Sequence, residues 1–569
     1  MPICTLLILQ KMNKLLKEKV INSKGFFGFS LLLCLVLFFF TTINHNLSYR
    51  IISIDYYSQN EFSKSLIDGH GISKSLIDES DLSQKKYLKE SLWPPGYIVV
   101  NAIFSKLTNL DFNKSYIVQK TFSDLFLLSI FLYIFYKNRS YFNRWAVPIF
   151  IFFLSFSGFY FKKVGLLDNI SLGLFLLSLQ LLFTVKLKLL NLLFFGVLCF
   201  APAIFRPAYY CLIFVAPFLC VVRGVLNENR FEKRNLVPFI TTFILLACQL
   251  GFMKFYFTSN INPIETLAYK DSRFFIENLA TFDAIFLNAF IYDNDLLRLV
   301  NQFLPFIKLD EFFIKLFLSS VFFLTLIFPL ILFLKYKIRN QLLNNIMILL
   351  FISSLVSVLF LSALSFYYPP FPVSGENINR TWVLFTRYHI LTEFTLLLFA
   401  FYVVFEKRKF FKKRVKMTFV LMLTASLGTN SFYWLYHEVK TMSYSPTGVV
   451  KDAEMVKKKL NSTTGKVIYL PTKIDAQENE FKENAFKCEL LNSIYGLIPL
   501  ATIDEPFTSE RINCIITLPK SNKHPLHKKV SEIIKNNQSE KILYSEGLKK
   551  DIYLVKLLPK NQADQKNNN

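Results

Sequence analysis

FFGFSLLLCLVLFFFTTI (Phe26–Ile43) leads into a polar segment that opens with Asp55-Tyr56-Tyr57 and closes on Trp93-Pro94-Pro95-Gly96-Tyr97, and the reading of the chain turns on this stretch. The first part is an uncharged apolar run of 18 residues. At 1.5 Å per residue, a helix needs about 20 such residues to cross a bilayer. Five lysines precede it (Lys11, Lys14, Lys17, Lys19, Lys24), and no small-residue cleavage pattern follows, so it reads as a retained anchor rather than a removed signal peptide. Met1–Gln10 is a short apolar prefix, with Met12 an alternative start.

The rest of the chain repeats this theme. Of its 569 residues, 53% are hydrophobic, and Phe alone occurs 64 times. A soluble domain could not keep that many apolar side chains from water. Ten further apolar runs follow, near 117–136, 145–161, 166–185, 189–205, 208–223, 236–256, 312–334, 343–366, 384–405 and 417–436, so that eleven membrane helices are expected. The net charge of +25 could suggest nucleic acid, but no basic-aromatic surface motif accompanies it. The charge is instead partitioned. With the N-terminus inside, the inner segments (1–25, 137–144, 186–188, 223–234, 335–339 and 406–416) carry 24 Lys/Arg against four Asp/Glu. That is the positive-inside pattern. It puts the first loop (44–116), the loop 257–311, the short loop 367–383 and everything after 436 outside. The Lys, Asn, Ile and Phe bias points to an AT-rich genome, hence to a bacterial inner membrane.

After 436 the composition changes. Lys451–Leu460 has helical character. Lys466–Leu470 and Ile512–Leu518 read as strands. Lys541–Tyr544 and Ile552–Leu558 flank a Ser545-Glu546-Gly547 turn, as in a hairpin. An extracytoplasmic α/β domain is expected over 437–560, with a polar disordered end at 561–569. Six cysteines lie in or before apolar segments and read as packing residues; Cys488 and Cys514, in the tail, are either a disulfide or two free thiols. The first loop contains SKSLID twice, at Ser63–Asp68 and Ser73–Asp78.

Chemistry is sought on the outer side. Taken alone, Asp55 reads as a solvated loop acid, and Glu90, before Trp93, is a weaker candidate of the same kind. Pro94, Pro95 and Gly96 set a sharp turn, and Trp93 and Tyr97 suit a membrane interface. Ile98–Leu107 follows as an interfacial helix. Asp168 opens an apolar run, where an acid caps the helix and favours its dipole. Lys162 and Lys163 are within reach of lipid head groups or a phosphate. Arg206-Pro207 closes another run, where arginine commonly snorkels to the interface. Arg380 and Arg387 are spaced to share a helix face. Arginine suits phosphate, and a charge at the position of Arg387 is costly without a partner. His389 is read as packing. Asp124 and Lys254 are read as lying towards span ends.

Taken in order and by side, these short motifs resemble the GT-C glycosyltransferases, which take a sugar from a polyprenyl-phosphate carrier: an acid after the first span, Pro-Pro-Gly-Tyr into the next apolar run, an acid opening the fourth span, Arg-Pro after the fifth and a late Arg-Tyr (Arg387-Tyr388). The resemblance runs to about residue 405 and implies a GT-C-like membrane domain over 26–436. It implies Asp55 as the base of an inverting transfer, Arg387 on the donor phosphate with Arg206, Lys162, Lys163 and Arg380 as helpers, and Asp168 or Glu90 as a second acid. No cofactor is required, although two acids could hold a divalent metal. The implied partners are a polyprenyl-phosphate sugar, membrane lipids and a lipid-linked glycan or protein acceptor. The single Asp55 departs from the paired acids of the protein mannosyltransferases. A transporter of lipid-linked saccharides and a non-catalytic envelope scaffold are the rival readings.

Overall fold

Every apolar run read from the sequence carries a helix in the computed structural model, which describes residues 24–48, 54–78, 81–89, 94–110, 112–156, 168–182, 188–206, 209–228, 233–257, 311–335, 342–365, 371–372, 379–380, 389–407, 411–443, 447–460, 467–471, 486, 490, 498–499, 512–520, 525–546 and 548–557. In chain order the elements are α1 (Lys24–Ser48), α2 (Ile54–Ile67), β1 (Lys74–Asp78), β2 (Asp81–Leu88), α3 (Pro95–Thr108), α4 (Phe112–Lys137), α5 (Ala146–Phe156), α6 (Asp168–Leu182), α7 (Leu189–Phe205), α8 (Val215–Glu228), α9 (Val237–Tyr256), α10 (Glu311–Lys335) and α11 (Leu342–Ser365). Then come β3 (Phe371–Pro372), β4 (Asn379–Arg380), α12 (Ile390–Phe405), α13 (Lys413–Ser443), α14 (Thr447–Leu460), β5 (Val467–Pro471), β6 (Ile498–Pro499), β7 (Ile512–Pro519), α15 (Pro525–Asn536), β8 (Gln538–Ser545) and β9 (Lys550–Leu557).

The protein is thus mainly helical with a small sheet. Among the described residues, three helices are long and apolar enough to cross a membrane: Gly25–Ile43, Lys114–Lys137 and Lys233–Tyr256. Seven other apolar helical stretches run 10–17 residues. This corrects the expectation of eleven spans. A helix of 11 residues such as α5 is about 16 Å long at 1.5 Å per residue, well short of a hydrocarbon core about 30 Å thick.

The chain forms two compact units. One holds Met1–Asn46, Thr121–Gln249 and Ile261–Glu438; the other holds Leu47–Lys120, Leu250–Asn260 and Val439–Asn569. The first unit is a helical bundle around α12, which is buried at every residue from Ile390 to Val403. A helix so largely apolar is stable within a protein core or a membrane. Its phenylalanines interlock with their neighbours. Phe394 stacks on Phe131 at 4.6 Å, and Phe401 meets Phe150 edge-on at 4.9 Å. Farther out, α1, α7 and α9 turn Phe29, Leu32, Phe40, Phe194 and Phe243 outward. Exposed apolar surface of that extent calls for an apolar surrounding.

The second unit contains the small sheet, in the order β6-β5-β7-β9-β8, with β5 parallel to β6 and β7 and β9 antiparallel to β7 and β8. Alternation along β7 explains its two covers. Cys514, Ile516 and Leu518 pack with Val530, Ile533 and Ile534 of α15, whereas Ile515 packs with Ala453, Val456 and Leu460 of α14. The expected tail helix, strands and hairpin are therefore present, joined by α15 and β6, which were not read from sequence. Cys514 is a free thiol buried in this core, which rules out the disulfide option. Burial pushes its pKa well above the usual thiol range, so it is an unreactive packing residue. The tail from 561 lies outside the described residues.

The same unit contains most of the first loop, whose described residues are largely regular. It folds as α2, a β1–β2 hairpin and α3. The duplicated hexapeptide takes two conformations. Ser63–Ile67 is the last turn of α2, whereas Lys74–Asp78 is strand β1. The two copies touch through the hydroxyls of Ser65 and Ser73.

Candidate functional site

In the first unit, the ends of α1, α6 and α7 that the charge alternation assigns to the outer side share buried polar contacts with one another and with the middle of α4. α6 begins at Asp168 and α7 ends at Arg206, with a short connection between the two helices. Consecutive helices so joined run antiparallel, so the start of one meets the end of the other. An acid at a helix start and a base at a helix end each favour the local dipole. The Arg206 guanidinium donates through Nε and Nη2 to the two carboxylate oxygens of Asp168. Both residues are buried, at 9% and 3% exposure. A second tie runs from Ser171 Oγ to the Pro202 carbonyl at 3.3 Å.

Beside this pair, Asn169 Nδ2 donates to Asp124 Oδ1 at 2.6 Å, and Asn46 Nδ2 donates to Asp124 Oδ2 at 3.2 Å and to Thr121 Oγ1 at 3.0 Å. Asp124 is fully buried midway along α4, rather than near its end as expected. A buried carboxylate is tolerable only when hydrogen-bonded, and two amides meet that need. This cluster joins α1, α4 and α6, and Asp168–Arg206 joins α6 to α7.

In the second unit, Asp55 is the second residue of α2, and so belongs to a helix rather than to a loop. α2 is fixed to α3 by a buried polar network. Asn101 Nδ2 donates to Asn60 Oδ1 at 2.7 Å, and the Tyr97 hydroxyl donates to the same oxygen at 3.3 Å. Ser63 Oγ donates to the Ile98 carbonyl at 3.0 Å. From α4, Ser115 Oγ and Gln119 Nε2 both donate to Asn101 Oδ1, at 3.0 and 2.7 Å. Pro95 stands in the first turn of α3, where its missing N–H costs nothing. Pro94, Gly96 and Tyr97 are buried. Tyr97 is therefore an interior residue and not the expected interfacial one. Burial, helped by nearby Tyr116, pushes its phenol well above the usual range and keeps it a donor.

Of the residues expected to form one site, Asp168 and Arg206 are brought together, but as each other's partners. The pair uses two of the five guanidinium donors. Asp55, Pro94, Pro95, Gly96 and Tyr97 fall in the other unit. Arg380 pairs through its backbone with Phe371 in the short β3–β4 ladder. His389 is buried at the start of α12. Glu90, Trp93, Lys162, Lys163 and Arg387 lie outside the described residues, as does the side chain of Asp55. Among the described residues, no group of three His, Cys, Asp or Glu could hold a metal.

The sequence reading gave no site role to Asp124, which it placed towards a span end, and none to Asn46, Asn169, the Asn60–Asn101–Gln119 network or Glu393, buried in α12. A carboxylate inside an apolar helical run, as in Phe122-Ser123-Asp124-Leu125-Phe126, was the available signal. Comparison with known protein families and with curated proteins finds no match to this chain.

Proposed function

We propose that the chain is a membrane glycosyltransferase that moves a sugar from a polyprenyl-phosphate carrier to an acceptor outside the cytoplasmic membrane, with its N-terminus inside and its tail domain outside. One observation carries this reading. The helix bearing Asp55, the Pro-Pro-Gly-Tyr helix α3, the end of α9 and the tail domain belong to a single unit. These are segments that the charge pattern independently assigns to the outer side. The buried clusters that tie the outer ends of α1, α6 and α7 to one another and to the middle of α4 support the same orientation.

In this mechanism the apolar bundle, with its three long helices across the bilayer and the shorter ones packed among them, holds the polyprenyl tail. Asp55, on a helix fixed by the Asn60–Asn101 network, takes the proton of the acceptor hydroxyl. The oxygen attacks the anomeric carbon as the bond to the carrier phosphate breaks. Arg387 stabilises the charge growing on that phosphate. Asp168 and Arg206 act as a positioning pair that fixes the outer ends of α6 and α7.

The test is mass spectrometry of envelope glycolipids and lipopolysaccharide from cells with the wild-type protein, without it, and with Asp55→Asn at matched levels. One sugar mass disappearing in both the deletion and the substitution is the expected result. A sugar lost only in the deletion removes Asp55 from the chemistry and favours the second reading. That reading, a transporter of a lipid-linked saccharide, draws on Asp124 and Glu393, carboxylates buried inside helices.

A further inference from the structure

At the opposite ends of α4 and α12, two inner links are built into one platform. The link after α4 and the link after α12 pair as strands do, through a bridge between Phe142 and Glu406. Asn143 N–H donates to the Phe405 carbonyl at 2.7 Å, and Lys407 N–H to the Tyr141 carbonyl at 2.9 Å. The Lys407 ammonium reaches the Arg139 carbonyl at 3.1 Å. Aromatic rings anchor the platform from below. Phe142 packs on Phe135 and Tyr402, and Phe411 on Phe399 and Tyr402.

The platform is strongly one-signed. Residues 137–144 contain three Lys/Arg and 406–416 contain seven, against a single acid, Glu406. That acid is buried and bound to Lys416 at 2.7 Å, so it does not offset the outer surface. Lys137, Arg139, Lys407, Lys412, Lys413 and Arg414 are exposed. Beside them, Arg144 lies over Trp145 and Phe27, and Trp145 meets both Phe26 and Phe27 at under 6 Å between ring centres. Cations next to an aromatic girdle, at the ends of apolar helices, match a layer of lipid phosphates above acyl chains.

We infer that this two-link platform is a binding site for anionic phospholipid head groups of the inner leaflet. The inference rests on the membrane orientation proposed above but not on glycosyl transfer. Pairing fixes the two links at a set spacing, so head groups meet a preformed cationic surface rather than two loose loops.

The test uses the full-length protein in nanodiscs of phosphatidylglycerol and phosphatidylcholine, followed by native mass spectrometry of the lipids retained in detergent. Two variants accompany the wild type. In one, Arg139, Lys412, Lys413 and Arg414 are all replaced by Gln; in the other, Lys412→Arg and Lys413→Arg keep the charge. The wild type and the charge-keeping variant are expected to retain phosphatidylglycerol well above its bulk share. The Gln variant should lose that enrichment on the order of tenfold, with unchanged thermal unfolding. High salt should weaken wild-type retention. Retention in the bulk ratio by the wild type overturns the inference, and so does undiminished enrichment in the Gln variant. Displacement of the lipid by duplex DNA or polyphosphate assigns the surface to a soluble polyanion and also overturns it. Release of the wild type from cell membranes by alkaline carbonate overturns the membrane insertion on which the inference rests, and glycolipid profiles report separately on the transfer reaction.

Discussion

Asp168 and Arg206 illustrate how much a single residue's environment decides. Each is a charge that would be expensive alone at its depth, and each removes the other's need for water. Breaking such a pair leaves an uncompensated buried charge, which typically costs about 3–5 kcal/mol. Arg206→Met is therefore expected to lower the unfolding temperature in detergent sharply. The double variant Asp168→Leu with Arg206→Met should recover most of the loss, and a double variant no better than the single one would mean that the pair is not coupled. Gly71 offers a second test. Its φ is +73°, and a Cβ there would stand 2.1 Å from the Tyr256 hydroxyl, the acceptor of the Ile72 N–H. Gly71→Ala should cost roughly 1–3 kcal/mol from backbone strain and expose the first loop to limited proteolysis. Unchanged protease resistance would show that the loop tolerates the clash.

Among the elements, apolar helices were the most legible. α7 falls on the residues read as a run, 189–205, because uninterrupted apolar side chains leave few alternatives. α2 was not legible. Its residues are mostly polar, and the hexapeptide that ends it forms a strand ten residues later, so local preference decides neither copy. What decides them is tertiary: Ser63 finds the Ile98 carbonyl, while Lys74 to Asp78 pair with β2. The site was half legible for a similar reason. Asp168 and Arg206 were recognisable singly, but a contact across 38 residues of sequence has no local signature. In the tail domain, Asp452 of α14 accepts a hydrogen bond from Ser545 at the end of β8. Its pKa is raised, chiefly by burial and further by Glu546, with the Ser545 bond partly offsetting this. An acid raised in the folded state loses stability as pH climbs through the unfolded value, about 4, towards the folded one. Asp452→Asn, which keeps the acceptor oxygen, should therefore stabilise the tail at neutral pH and change little in acid. Equal effects at both pH values, read from unfolding curves, would remove the titration argument.

For the molecule as a whole, the decisive property is sidedness. Segments far apart in sequence but assigned by charge to the same side gather together, with 141–143 against 405–407 in one unit and the first loop with the tail in the other. Ser140 and Ser539 are exposed representatives of the two sets. With Ser539→Cys, a membrane-impermeant maleimide should label intact spheroplasts, whereas Ser140→Cys should react only after permeabilisation. The reverse pattern would invert the topology and move the cationic platform outside. Both variants are made in a Cys488→Ser background, because that tail cysteine lies outside the described residues, whereas Cys514 is buried and Cys34, Cys199, Cys220 and Cys248 sit in apolar helices.

The twin hexapeptides also carry a consequence for heredity. If the two copies recombine in the gene, residues 63–72 are excised in frame, and one SKSLID remains directly after Phe62. The surviving copy stands where the helical one stood, so α2 and the placement of Asp55 persist. What disappears is the Gly69–Gly71 turn and the strand that followed it. Natural length variants at this locus would thus remodel the hairpin while sparing the scaffold beneath it.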